Sequence, residues 1–164
     1  SLSNTVGGAI FHDGNRLPGD AFRCGEAGHM TLIPDGKPCY CGKTGCVDAY
    51  CSARLLSDLS GERLEDFFLG LQQNNPDYRS VWDTYLKHLA VVINNLHMIL
   101  DYDIVLGGYV GSFLSPWLDT IRRLVAEHNT FEDDGSFVKL CTYQTGAAAY
   151  GAAMDVMEEF LRTV

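Results

Sequence analysis

Gly25-Glu26-Ala27-Gly28-His29 and, nine residues on, Cys39-Tyr40-Cys41-Gly42-Lys43-Thr44-Gly45-Cys46-Val47-Asp48 form the stretch around which this chain is organised. Three thiols and one imidazole lie close together in sequence. Cys39, Cys41, Cys46 and His29 match the Cys3His ligand set of a closed, tetrahedral structural zinc site. Four protein ligands leave such a metal no open position for water, so its role is to hold shape rather than to act as a Lewis acid. Carboxylates flank the cluster, Glu26 on one side and Asp48 on the other. A metal at the thiols confines both to short arcs beside it, so the expected zinc loop, 29–48, is also a binding-site candidate.

The surrounding chain fits one soluble domain. It has 164 residues, 46% hydrophobic and 20% charged, enough for a single core. No apolar run reaches the roughly 18 residues of a membrane span, and no basic leader or secretion signal opens it. A cytoplasmic protein without a membrane partner is expected. The formal net charge of −9 argues against direct nucleic-acid binding, which needs clustered Lys and Arg. Six cysteines in a chain of this length and apolar content, two of them spaced Cys-x-Cys, favour metal over a disulfide framework. Cys24, Cys51 and Cys141 remain, and read as small apolar side chains. The chain opens without Met on strand-like sequence, as expected of a segment of a longer protein with a tag remnant.

Along the chain, Asp13-Gly14-Asn15 predicts a hairpin turn after 6–12. A short strand is expected over 30–33, and Ser52 as the cap of a helix beginning at Ala53. Apolar spacing predicts helices over 61–73 and 77–100, the second with a stripe through Trp82, Tyr85, Leu89, Val92, Ile93 and Leu96. His88 and His97, nine apart, share no ligand pattern and read as structural or solvated. A strand over 103–106 ends at Gly107-Gly108. A helix follows over 113–128 with Pro116 in its first turn, then a strand over 137–143 and an Ala-rich helix over 146–161. The order is α/β, a mixed sheet covered by helices, in one domain over 1–164.

The two quoted segments, with Ser52-Ala53, Asp103-Ile104-Val105-Leu106-Gly107-Gly108 and the Ala-rich terminal helix, resemble the signature of the ROK family (repressors, open reading frames, kinases). The resemblance covers nearly the whole chain. It implies an actin-like, ribonuclease-H-like ATPase lobe, specifically the C-terminal lobe of a longer protein. The missing partner is then the protein's own N-terminal lobe, with its phosphate loop and its Asn-Asp pair containing the general base. No Asn-Asp pair occurs here. Any DNA contact belongs to an absent N-terminal domain. The resemblance also implies that Glu26, His29 and Asp48 contact a sugar or amino sugar, with His29 also a zinc ligand. Asp48 stands where the family usually has Glu, one methylene longer.

A further departure sets the functional expectation. Family kinases hold nucleotide phosphate on a Gly-Thr-Gly-rich loop. The matching stretch is Ser1-Leu2-Ser3-Asn4-Thr5-Val6-Gly7-Gly8-Ala9, in which side-chain-bearing residues replace the first glycines and restrict positive φ. Gly7, Gly8, Gly107 and Gly108 are left as a vestigial nucleotide site. The expectation is the effector-sensing lobe of a sugar-responsive transcriptional regulator, in the repressor subset, with zinc as cofactor, no ATP bound by this segment and a possible homodimer. The competing reading is the C-terminal lobe of a kinase that phosphorylates hexoses or N-acetylhexosamines. Upstream sequence separates the two: a basic helix-turn-helix against an Asp-x-Gly-x-Thr opening.

Overall fold

Asn75-Pro76 starts the element on which the core is built. The Asn75 side chain accepts the N–H groups of Asp77 and Tyr78 at 3.0 and 3.3 Å, two of the donors that a helix start leaves orphaned. Pro76 has no N–H to lose. Helix α4 then runs Pro76–Leu100, 25 residues, and stops at Asp101 in the left-handed region. The computed structural model describes the backbone of residues 1–163 and, among these, the side chains of all but residues 158, 159 and 162.

The remaining elements are β1 (Phe11–His12), β2 (Asn15–Arg16), α1 (Asp48–Cys51), α2 (Arg54–Ser57), α3 (Leu64–Gln72), β3 (Ile104–Leu106), α5 (Gly108–Gly111), α6 (Leu118–Ala126), β4 (Val138–Leu140) and α7 (Ala147–Thr163). The apolar stripe of α4 meets α3, α1 and α6. Trp82, Tyr85, Leu86, Leu89 and Ile93 are buried against Phe67, Phe68, Ile121 and Val125. Aromatic rings fill one end: Phe68 stacks on Phe113 and Trp82 on Tyr85, with centroids 4.2 and 5.1 Å apart. The Tyr85 hydroxyl donates to the Cys51 carbonyl at 2.6 Å, fastening α4 to the end of α1.

β1 and β2 pair antiparallel, Phe11 opposite Arg16 and His12 opposite Asn15. The two-residue turn is Asp13-Gly14, both with positive φ (49° and 77°), the geometry that Asp-Gly supplies. β3 and β4 pair parallel, Ile104 with Val138 and Leu106 with Leu140. A parallel pair needs a long crossover; α5, a short 3-10 turn at Ser115–Trp117 and α6 provide it.

Several expectations shift. The mixed sheet is present as two separate two-stranded ladders. Residues 30–33 form no strand, only a bridge from Thr31 to Cys46, because their partners are the turns of the cysteine loop. Ser52 ends α1 and caps nothing through its side chain; α2 begins at Arg54. The helix expected over 61–73 is shortened at its start by left-handed Gly61 and Glu62. Pro116 sits in the 3-10 turn, and the regular helix begins two residues after it. α7 forms, but Tyr150, Met154, Val156, Met157 and Phe160 on it are exposed.

Asn75→Ala should lower unfolding free energy by about 1 kcal/mol, the usual worth of an Asn cap, read as a lower urea midpoint with unchanged slope. An unchanged midpoint would remove the cap from the account of α4.

Candidate functional site: a thiol cluster flanked by two carboxylates

The glycines of the cysteine loop are fixed by close approach. Gly45 has φ +78°, and a Cβ there would collide with the Ile33 carbonyl. Gly42, φ +83°, turns the chain so that its N–H reaches the Cys39 carbonyl at 3.0 Å, while the Cys39 N–H donates to Lys43 at 2.8 Å. Bridges Pro38 to Thr44 and Thr31 to Cys46 complete the frame. The Lys37 N–H donates to the buried Tyr50 hydroxyl at 2.6 Å, pinning the loop to α1. His29 arrives on the 3-10 turn Ala27–His29, whose Gly28 lies flush against the Val6 carbonyl.

The result is convergence. One ligand atom from each of His29, Cys39, Cys41 and Cys46 lies within 4.8 Å of the others, a group that could hold a metal ion. The Cys41 and Cys46 sulfurs are 3.7 Å apart. Tetrahedral zinc with bonds of about 2.3 Å places two thiolates roughly 3.8 Å apart, so the edge fits. It is far longer than a disulfide, and all six cysteines are free. His29 presents Nδ1 to Cys39, 4.0 Å away. Burial and the neighbouring thiols push Cys46 up to about 11. The Lys43 backbone N–H draws exposed Cys41 down. Three sulfur atoms this close cannot all ionise without a cation among them, so a metal held here would displace protons from the thiols.

The other ring nitrogen, His29 Nε2, faces the Tyr40 hydroxyl at 3.1 Å. Tyr40 ionises above its ordinary range, through loss of hydration first and then through the charges of Asp48, Cys39 and Glu26. Both flanking carboxylates therefore act on one point beside the imidazole. Glu26 is exposed, at the start of the 3-10 turn. Asp48 is buried, and its Oδ1 accepts the Val6 N–H at 2.5 Å. Neither this tie nor the Tyr40 contact was among the contacts expected from sequence. The signal for the first was an Asp opening a helix; the second carried none, since its neighbour His29 is eleven residues away.

Gly7 and Gly107 are brought together through the N-terminal segment. Gly7 and Ser1 exchange backbone hydrogen bonds, and the Leu2 N–H donates to Gly107 at 2.7 Å. Gly8 instead packs against Gly25, and Gly108, φ +86°, lies under Ser1, Leu2 and Ser3 at the start of α5. A cavity of about 310 Å³ opens beside α5, lined by Asn4, Tyr109, Ser112 and Phe113 among others. Residues 3–5 all keep negative φ, so this turn needs no glycine. Cys51 is fully buried and its thiol is pushed up to about 12. His97 is buried between the Tyr102 carbonyl and Glu132, stacked on Phe137. His88 packs edge-on to Tyr50.

The model of the ROK family matches residues 1–159. Glucokinase of Halalkalibacterium halodurans is 29% identical over 97% of this chain and 55% of its own length. N-acetylmannosamine kinase of Salmonella typhi is 28% identical over 94% of this chain and 54% of its own. The chain thus spans about half the length of these curated relatives. Among solved structures, the ROK hexokinase of Thermus thermophilus superposes with a TM-score of 0.75 at 23% identity, over 96% of this chain and 57% of that one. The chain belongs to the ROK family, and its fold is that of the family's sugar kinases, an actin-like α/β ATPase fold. No helix among the described residues is long and apolar enough to cross a membrane.

These findings overturn the regulator expectation. Relatives over nearly the whole chain are named as kinases; a ROK transcriptional regulator shares the fold, with a TM-score of 0.70 at 22% identity over 85% of this chain and 39% of that one. The expectation rested on the side-chain-bearing residues that replace the first glycines of the stretch from Ser1 to Ala9. It fails physically because the turn uses no positive φ, so side chains there cost the backbone nothing.

In metal-free protein at pH 8, iodoacetamide should modify Cys41 first and leave Cys51 untouched until unfolding, because reactivity follows thiolate fraction and access. Peptide mass spectrometry reads the order; early loss of Cys51 would contradict its burial.

Proposed function

We propose that this chain is the C-terminal lobe of a ROK-family sugar kinase, that its substrate is a neutral hexose or N-acetylhexosamine, and that His29, Cys39, Cys41 and Cys46 hold a structural zinc. The observation that carries the reading is the kinship with glucokinase and N-acetylmannosamine kinase over nearly all of the chain. The site supports it. A sugar offers vicinal hydroxyls and no charge, and carboxylates accept paired O–H groups well. Glu26 is exposed and free to do so. His29, with Nδ1 toward the thiols, has Nε2 left for a hydroxyl, and the Tyr40 hydroxyl already sits at hydrogen-bond distance there. Asp48 has one oxygen committed to Val6. Its second oxygen is the one available to a ligand, so the shorter Asp serves as a tie and a contact at once. Zinc, when bound, neutralises the thiolates and fixes the imidazole between metal and sugar.

Phosphoryl transfer is mostly positioning and charge stabilisation. The nucleotide is assigned to the turn at Gly7 and Gly8, to Gly107-Gly108 and to the adjoining cavity by α5. The general base belongs to the other lobe, since no Asn-Asp pair occurs here. The whole protein is placed among soluble cytoplasmic enzymes.

In the longer protein, Glu26→Ala should lower kcat/KM for its sugar by about 10- to 150-fold, the 1.5–3 kcal/mol of a charged hydrogen bond. Zinc content, by elemental analysis, should stay near one per chain. The 164-residue chain alone should bind zinc and show no ATP-dependent turnover. Turnover by this chain alone, or full activity of the Glu26 variant, would sink the assignment. Cys41→Ser should lower both zinc content and melting temperature; a variant that melts like the parent with full zinc removes the staple.

A further inference from the structure

The separation that suits two thiolates on a metal, 3.7 Å, also puts the sulfurs of Cys41 and Cys46 within reach of each other. The two differ in access. Cys41 is exposed, and Cys46 is buried, with 3% of its surface open. They differ in freedom as well. Cys46 is bridged to Thr31, and its neighbours are held on both sides: the Gly45 N–H donates to Lys37 at 2.8 Å and the Val47 N–H to Met30 at 2.9 Å. Beside Cys41, Gly42 has open space where a side chain would stand. A disulfide needs its sulfurs about 2.05 Å apart, and Cys41 is the partner with room to close the gap.

The other cysteines are poorer partners. Cys39 is buried, its N–H is bonded to Lys43, and its sulfur faces His29 Nδ1. Cys24, Cys51 and Cys141 lie outside the group, and Cys51 has no exposed surface.

We propose that Cys41 and Cys46 form an oxidisable pair, closed to a disulfide by a hydroperoxide, and that closure takes the loop out of its metal-binding state. The exposed Cys41 sulfur attacks one oxygen of the peroxide. The O–O bond breaks, the other oxygen leaves as an alcohol or water with the thiol proton, and Cys41 becomes a sulfenic acid. The Cys46 sulfur then displaces the hydroxyl, which leaves as water with the second thiol proton, and the S–S bond forms. Two electrons pass from the two sulfurs to the peroxide. Two of the four donors are then spent. His29 and Cys39 alone make no closed tetrahedral site, so the imidazole loses what fixes it beside the carboxylates. The pairing of the sulfurs rests on their geometry; the loss of metal rests on the zinc reading of the proposed function.

The 164-residue chain, reduced and loaded with zinc chloride, is treated with one equivalent of hydrogen peroxide, beside a metal-free sample. The six free thiols, counted after unfolding, should fall by two in both samples, and a chromogenic chelator should register zinc released from the loaded one. Trypsin cuts after Lys43, between the two cysteines, so the non-reducing digest should hold the peptides on either side joined, and fragmentation should place the bond at Cys41–Cys46. Reduction should restore both thiols and zinc uptake. Cys41→Ser should slow thiol loss by about 10-fold or more, since reactivity follows access. Cys46→Ser should leave a sulfenic acid at Cys41 that a 1,3-diketone traps. A bond through Cys39, first oxidation at Cys24, Cys51 or Cys141, a disulfide between two chains, or an unchanged rate in Cys41→Ser overturns the proposal. A reduced chain that takes up no zinc counts against the zinc reading instead, and the peptide map of the metal-free chain still decides this one.

Discussion

The hydrogen bond from the Val6 N–H to Asp48 Oδ1, 2.5 Å long and buried, is the constraint on which the site depends. It spans forty-two residues and joins the N-terminal turn, the cysteine loop and the first residue of α1. A buried carboxylate without partners is costly. Here the donor is a backbone N–H that has no other partner among the described residues, so each group satisfies the other. The same strand of contact continues through Gly28, which lies against the Val6 carbonyl, and through Val47, whose N–H donates to Met30 at 2.9 Å. Glycine is required at 28 because any side chain would push the His29 turn away from Val6. The imidazole, the thiols and the carboxylates are thus located from the N-terminal turn outward.

The second organising feature is the division of labour between α4 and the loops. α4 buries Trp82, Tyr85, Leu86, Leu89 and Ile93 and contacts α1, α3 and α6. It contributes nothing to the thiol cluster directly. It acts through the Tyr85 hydroxyl on Cys51 and through Tyr50, which packs by His88 and holds the Lys37 N–H. A loop rich in glycine cannot set ligand positions to within fractions of an ångström by itself. Two tyrosine hydroxyls anchored on helices supply that precision at its base.

In the first nine residues, side chains stand where family kinases carry glycines, a composition that by itself argues against a phosphate loop. The fold shows a turn whose residues 3–5 keep ordinary dihedrals, while the positive φ sits at Gly108 on the other wall. Residues 3 and 108, far apart in sequence, meet only in the folded chain, where the Tyr109 N–H donates to Ser3 Oγ at 3.4 Å. Kinship with kinases over nearly the whole chain then outweighs the local change in composition.

The sequence by itself singled out the group that the fold brings together, because His29, Cys39, Cys41 and Cys46 are chemically specific and their spacing leaves few alternatives. It also determined α4, whose apolar periodicity and Asn75-Pro76 start are local signals, and the β1–β2 turn, which Asp13-Gly14 encodes through positive φ. Tertiary structure alone decided the rest. That residues 30–33 bridge Cys46 instead of forming a strand, that Asp48 is spent partly on Val6, and that Tyr40 meets His29 Nε2 are all contacts between distant segments. Local propensity carries no term for such contacts. They are set by which backbone groups remain unpaired once the core has closed, and the burial of α4 against α1, α3 and α6 fixes that outcome.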